Sequence, residues 1–102
     1  MQITNLITQD RCDITFSGTC TFSDTIIFSE VISLMRIPDI RMYIIHIDAL
    51  EFIDSSGLGM FLLARDAASE NQKLLSLSGI KGQVKNIFKL ACFEQYFTLI
   101  EI

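Results

Sequence analysis

"RMYIIHIDALEFIDSSGLGMFLLA", residues 41–64, changes character halfway along. Residues 41–47, "RMYIIHI", form an almost unbroken apolar run with β-branched members, which predicts a central strand covered on both faces. Beyond Gly57 the apolar residues recur at helical spacing, and the helix is expected to run to about Asn71. Between the two lie Asp54, Ser55 and Ser56, residue types whose side chains accept a hydrogen bond from the free N–H groups of a helix's first turn and contribute about 1 kcal/mol there. A strand feeding a helix in this way is the unit from which sheets with crossover connections are built.

Working outward, residues 2–8 ("QITNLIT") and 12–17 ("CDITFS") alternate apolar and polar around Gln9 and Asp10, a hairpin that Gly18 is expected to end. Thr21 with Asp24 three residues later is an acidic variant of the helix-starting box. The following helix carries one apolar stripe, Ile27, Phe28, Val31, Leu34 and Met35, and Pro38 forbids its continuation. "KLLSLS" reads as a strand, residues 81–91 as a third helix and "FTLIEI" as a terminal strand. The order is β-β-α-β-α-β-α-β: an α/β fold with a mixed sheet, expected to fill residues 1–102 as one domain.

Composition narrows the function classes. Eight basic residues against twelve acidic ones, a net charge of −4, lack the electrostatic footprint of a nucleic-acid binder. No stretch approaches the roughly 20 apolar residues of a membrane span, and no leader is evident, so a cytoplasmic protein without membrane insertion is expected. Cys12, Cys20 and Cys92 are odd in number and have no C-x-x-C spacing; they read as buried thiols, with neither a disulfide framework nor a metal site. The mean hydropathy of +0.43 is high for so short a chain and is consistent with a surface that meets a partner.

The paired serines do not read as nucleophiles. A G-x-S-x-G elbow needs glycine two residues to either side, but Ser56 has Asp54 and Leu58 there, and Ser55 has Ile53 and Gly57. The single histidine, His46, lies inside the apolar strand, as expected of a hydrogen-bonded structural imidazole. Gly57-Leu58-Gly59 lacks both the third glycine of a dinucleotide fingerprint and any G-K-[ST]. Asp48, Glu51 and Asp54 cluster near a strand end, but no paired acidic site on an earlier strand completes an aspartyl-phosphate receiver. No catalytic residue, metal or cofactor is therefore assigned.

A helix N-terminus does, however, tolerate an added phosphate, because its N–H groups and dipole offset the charge. On a wheel of about 100° per residue, Met60, Phe61, Ala64, Ala67 and Ala68 share one side, whereas Leu58 and Leu62 fall with Arg65, Asp66 and Ser69. Either the helix start is buried all round, or Leu58 and Leu62 belong to a contact beside the serines. In the second case a charge of about −1.5 to −2 would oppose docking. On the third helix Lys81, Lys85 and Lys89 form a basic stripe, a solvated face or one that meets an acidic partner.

"FIDSSGLGMFLLA" after "YIIHIDAL" resembles the signature of STAS domains, specifically the stand-alone anti-sigma factor antagonists of bacteria. The likeness extends through the Gly18 turn and "SGIKGQVKNIFKLACFEQYF" over essentially the whole chain. It implies that Ser55, with Ser56 as second candidate, is phosphorylated by a partner serine kinase that doubles as an anti-sigma factor, and that a metal-dependent serine phosphatase reverses this. It further implies that the unphosphorylated form binds the kinase and the phosphorylated form lets go. Asp54, Ser56, Gly57 and Leu58 match the motif, and Leu62 extends the contact. The family often carries an acidic G-E-x-D after the second strand, where this chain has Gly18-Thr19-Cys20-Thr21 and then Asp24; Thr21 and Asp24 are the candidate contacts of that altered loop. STAS domains also serve as constitutive subunits of lipid-transport and sensory complexes, in which the serines would only cap the helix.

Overall fold

The computed structural model describes residues 1–100. Strands β1 (Gln2–Thr8), β2 (Arg11–Cys20), β3 (Met42–Ile53), β4 (Leu74–Ser78) and β5 (Thr98–Ile100) form one sheet in the order β1-β2-β3-β4-β5. β1 and β2 are antiparallel, and every later pairing is parallel. Helices α1 (Thr25–Leu34), α2 (Ser55–Glu70) and α3 (Gly82–Leu90) make the crossovers, and single 3-10 turns occupy Phe22–Asp24 and Phe93–Gln95. The expected element order is therefore realised; the last two residues of "FTLIEI", Glu101 and Ile102, lie outside the described residues.

Register explains which face is buried. Cys12, Ile14 and Phe16 of β2, Tyr43, Ile45 and Ile47 of β3, and Leu77 of β4 alternate onto one face and are all buried. The helices seat there: the Phe61 ring of α2 lies 5.6 Å from Phe16, 5.3 Å from Phe28 of α1 and 5.6 Å from Phe88 of α3. Phe61 thus joins all three helices to the sheet, a position where truncation to alanine costs about 3–5 kcal/mol. The α1 stripe behaves as expected, with Phe28, Val31 and Met35 buried.

Four expectations need correction. β3 is not sandwiched by helices, since Ile44 and His46 lie on the opposite face, although Ile44 is still buried. β3 also runs on to Ile53, beyond the apolar run that ends at Ile47. Gly18 does not end β2; it sits inside it at φ +88°, where the register with β3 shifts, and the strand continues to Cys20. A non-glycine residue would be strained at that angle, and the bulge keeps the strand paired while bending it. Cys12 and Cys20 are buried as expected, but Cys92 is exposed, in a left-handed conformation (φ +57°) just after α3.

No helix among the described residues is long and apolar enough to cross a membrane, and no cluster of metal-ligating side chains occurs among them.

Candidate functional site

The paired serines sit where β3 hands over to α2. Ile53, the last residue of β3, is in register with Cys20, the last of β2. The Asp54 N–H donates to the Cys20 carbonyl at 3.2 Å, prolonging the strand pairing by one bond. Asp54 is extended and serves as the N-cap: its Oδ1 accepts the Gly57 N–H at 2.8 Å, and its carbonyl accepts the Leu58 N–H at 3.0 Å. The capping role foreseen for Asp54, Ser55 or Ser56 therefore falls to Asp54 alone.

With the cap supplied by Asp54, Ser55 and Ser56 occupy the first two helical positions, exposed, and neither hydroxyl has a hydrogen-bond partner among the described residues. Gly57 is buried: a Cβ there would lie 2.6 Å from both the Cys20 carbonyl oxygen and Ile53 Cγ1. The glycine lets the first turn of α2 rest directly on the ends of β2 and β3, which holds Ser55 at the rim of the sheet.

Leu58 and Leu62 are half-buried and pack against the core, so the helix start is not buried all round. Leu63, which the wheel did not single out, is 56% exposed. α2 packs against α1 and the Phe22–Asp24 turn. There Phe22, in the turn itself, and Ile26, on α1 but off its buried stripe, stand 77% and 78% exposed. Sequence inspection missed both; the available signal for Ile26 was its position outside that stripe.

Thr21 and Asp24 look inward. The anticipated box forms, with the Thr21 N–H donating to Asp24 Oδ2 at 2.8 Å, and Asp24 Oδ1 lies 2.9 Å from the Met1 ammonium. Asp24 is 5% exposed. Burial alone would raise its pKa, but the Thr21 N–H and the ammonium outweigh that and hold it below the ordinary carboxylate value. Burial pushes the Cys20 thiol up to about 12, and the charges of Asp24 and Asp54 add to the effect. The Cys20 thiol beneath the first turn of α2 is therefore unreactive at neutral pH. His46 lies away from the serines, its Nε2 2.7 Å from Asp13 Oδ1.

A STAS domain family model matches residues 2–101. A STAS-domain containing protein of Pseudomonas aeruginosa is 36% identical over 59 residues, 58% of each chain. The anti-sigma-B factor antagonist of Staphylococcus aureus is 28% identical over 61 residues, 60% of this chain and 56% of that protein. The matched segments thus span little more than half the length of these curated relatives. Among solved structures, the anti-sigma factor antagonist SpoIIAA in its unphosphorylated form superposes with a TM-score of 0.75 at 14% identity, over 99% of this chain and 89% of that one. A sulfate transporter family protein from Wolinella succinogenes also reaches 0.75 at 14% identity, over 95% of this chain and 82% of its own. At 14% identity the two structural likenesses are likenesses of fold. With the family model spanning residues 2–101, the chain belongs to the STAS domain family.

Proposed function

We propose that the chain is a partner-switching regulator of the anti-sigma factor antagonist kind, controlled by reversible phosphorylation of Ser55. The observation that carries this reading is an exposed, unpartnered Ser55 hydroxyl at the start of α2, on a helix packed against the turn that bears Phe22. A kinase can reach that hydroxyl without unfolding anything, and the N-terminus of α2 accommodates the phosphate. Phe22, Ile26 and Leu63, with the open sides of Leu58 and Leu62, offer the apolar contact for a serine-protein kinase that acts as an anti-sigma factor. A phosphate at its margin opposes docking through desolvation and repulsion, the latter reinforced by Asp54.

The relatives named as anti-sigma-B factor antagonists support the reading, as does the solved phosphorylated form of SpoIIAA, which matches with a TM-score of 0.75. In this account the chain performs no chemistry and needs no cofactor. The kinase brings ATP and Mg²⁺, a metal-dependent serine phosphatase removes the phosphate, and the exchange takes place in the cytoplasm.

The test is binding of the cognate kinase to Ser55→Ala and Ser55→Asp. The first variant is expected to bind as the native chain does and the second poorly, with both folded, and mass spectrometry after incubation with kinase and ATP should place the phosphate on Ser55. Phosphate on another residue, or none, contradicts the reading. Co-purification with a larger complex at fixed stoichiometry, unaffected by Ser55→Asp, would instead establish a constitutive STAS subunit.

A further inference from the structure

Where β4 ends beside the middle of β3 lies a cavity of about 510 Å³ lined by His46, Asp48, Ser78, Gly79, Ile80 and Lys81. A second cavity shares Asp48 and Lys81 with it and reaches Glu51, Gly82 and Gln83 at the start of α3. Ser78 is 1% exposed and its hydroxyl has no hydrogen-bond partner among the described residues, although it lines the first cavity. A buried hydroxyl left unpaired costs free energy, so its persistence needs an explanation.

The segment "SGIKG", residues 78–82, leads from strand to helix with Gly79 at φ +82° and Gly82 at φ +61°. A Cβ on Gly79 would come within 2.7 Å of Asp48 Cβ, so the glycine lets the loop lie directly against β3. Lys81 is the N-cap of α3, and no side chain caps that helix. The loop therefore gathers hydrogen-bond donors: the Ser78 hydroxyl, the Lys81 ammonium and the uncapped first turn of α3. His46 Nε2 is occupied by Asp13. Against the donors stand the carboxylates of Asp48 and, in the second cavity, Glu51.

We propose that the Ser78–Gly82 loop binds a phosphoryl oxyanion, with Ser78 and Lys81 donating to it and Asp48 accepting a hydrogen bond from its protonated oxygen. An ionised carboxylate can only accept, so it repels a fully deprotonated oxyanion and favours one that carries its own proton. A phosphoryl group, with a second pKa of about 6, has a protonated form near neutrality, whereas sulfate does not. The wall that would weaken a generic anion site thus becomes the basis for choosing phosphate over sulfate. The proposal does not rest on the Ser55 reading.

The test is an amide NMR titration of the full chain with inorganic phosphate, glycerol 3-phosphate and sulfate at matched ionic strength. The phosphoryl compounds are expected to give saturating shifts at Gly79, Lys81 and Gly82, at concentrations about tenfold lower than sulfate requires. Tighter binding of glycerol 3-phosphate would identify a phosphomonoester headgroup as the ligand, and tighter binding of inorganic phosphate the free ion; either supports the site. Lys81→Ala, an exposed position, should weaken the phosphoryl response about tenfold, and Asp48→Asn should erase the preference over sulfate. Shifts that never saturate, that are equal for phosphate and sulfate, that appear only at the α2 N-terminus, or whose phosphate preference survives Asp48→Asn would overturn the proposal.

Discussion

The side-chain amide of Gln83 engages both backbone groups of Ile53: the Ile53 N–H donates to Oε1 at 3.1 Å, and Nε2 donates to the Ile53 carbonyl at 3.2 Å. β4 pairs with β3 only as far as Ser78 opposite His46, so the far end of β3 has no strand on that side and a glutamine from α3 replaces one. Because Ile53 lies two residues before Ser55, α3 helps to fix the approach to the α2 N-terminus. Gln83→Ala should destabilise the fold by about 1–3 kcal/mol, through two partly buried backbone groups left unpaired. Denaturant unfolding measures the loss, and faster hydrogen exchange at the Ile53 amide would locate it.

Gly57→Ala places a methyl group 2.6 Å from the Cys20 carbonyl oxygen, which belongs to rigid backbone. The first turn of α2 must then lift away from the sheet, at a cost of about 1–3 kcal/mol. Gly59, in the same helix, has no atom near the equivalent position, so Gly59→Ala should be neutral or slightly stabilising. Paired thermal melts of the two variants check the contrast.

Cysteine reactivity separates the three thiols. Cys20 is buried and its pKa is pushed up to about 12 by burial and by Asp24 and Asp54, so almost no thiolate exists at neutral pH. Cys12 is buried and shifted in the same direction for the same principal reason. Iodoacetamide on the native chain should therefore modify Cys92 alone, with the other two labelling only after denaturation; peptide mapping reads this directly.

Asp13 links stability to acid. The hydrogen bond from Arg11 lowers its pKa, partial burial opposes this, and the His46 hydrogen bond and the two positive partners add to the lowering. A carboxylate with a depressed folded pKa contributes stability that is fully present above its unfolded value of about 3.9 and is lost as pH falls through the lower folded value. Asp13→Asn should flatten the dependence of unfolding free energy on pH below about 4, and the effect should be modest, because Arg11 is exposed. Urea titrations between about pH 5 and pH 2 test the slope.

Periodicity made the element order legible, since α1, α2 and α3 each carry their apolar residues at helical spacing and these are the residues that become buried. It could not reveal that β3 is covered by helices on one face only, because Ile44 is apolar and buried on the other face as well. The strand-to-helix handover at Asp54 was readable from residue type, but which of Asp54, Ser55 and Ser56 caps α2 depends on geometry. The Gln83 clamp joins residues 30 apart in sequence, and nothing local announces it. Phe22 and Ile26 escaped notice because an exposed apolar residue differs from a buried one only in what surrounds it in space.

The most direct measurement of the central claim is the affinity of the kinase partner for the native chain before and after stoichiometric phosphorylation at Ser55, by calorimetry with the phosphate confirmed by mass spectrometry. The account predicts that the phosphorylated chain, still folded by circular dichroism, binds at least about tenfold more weakly, roughly 1.4 kcal/mol. Equal affinity for the two forms would contradict it.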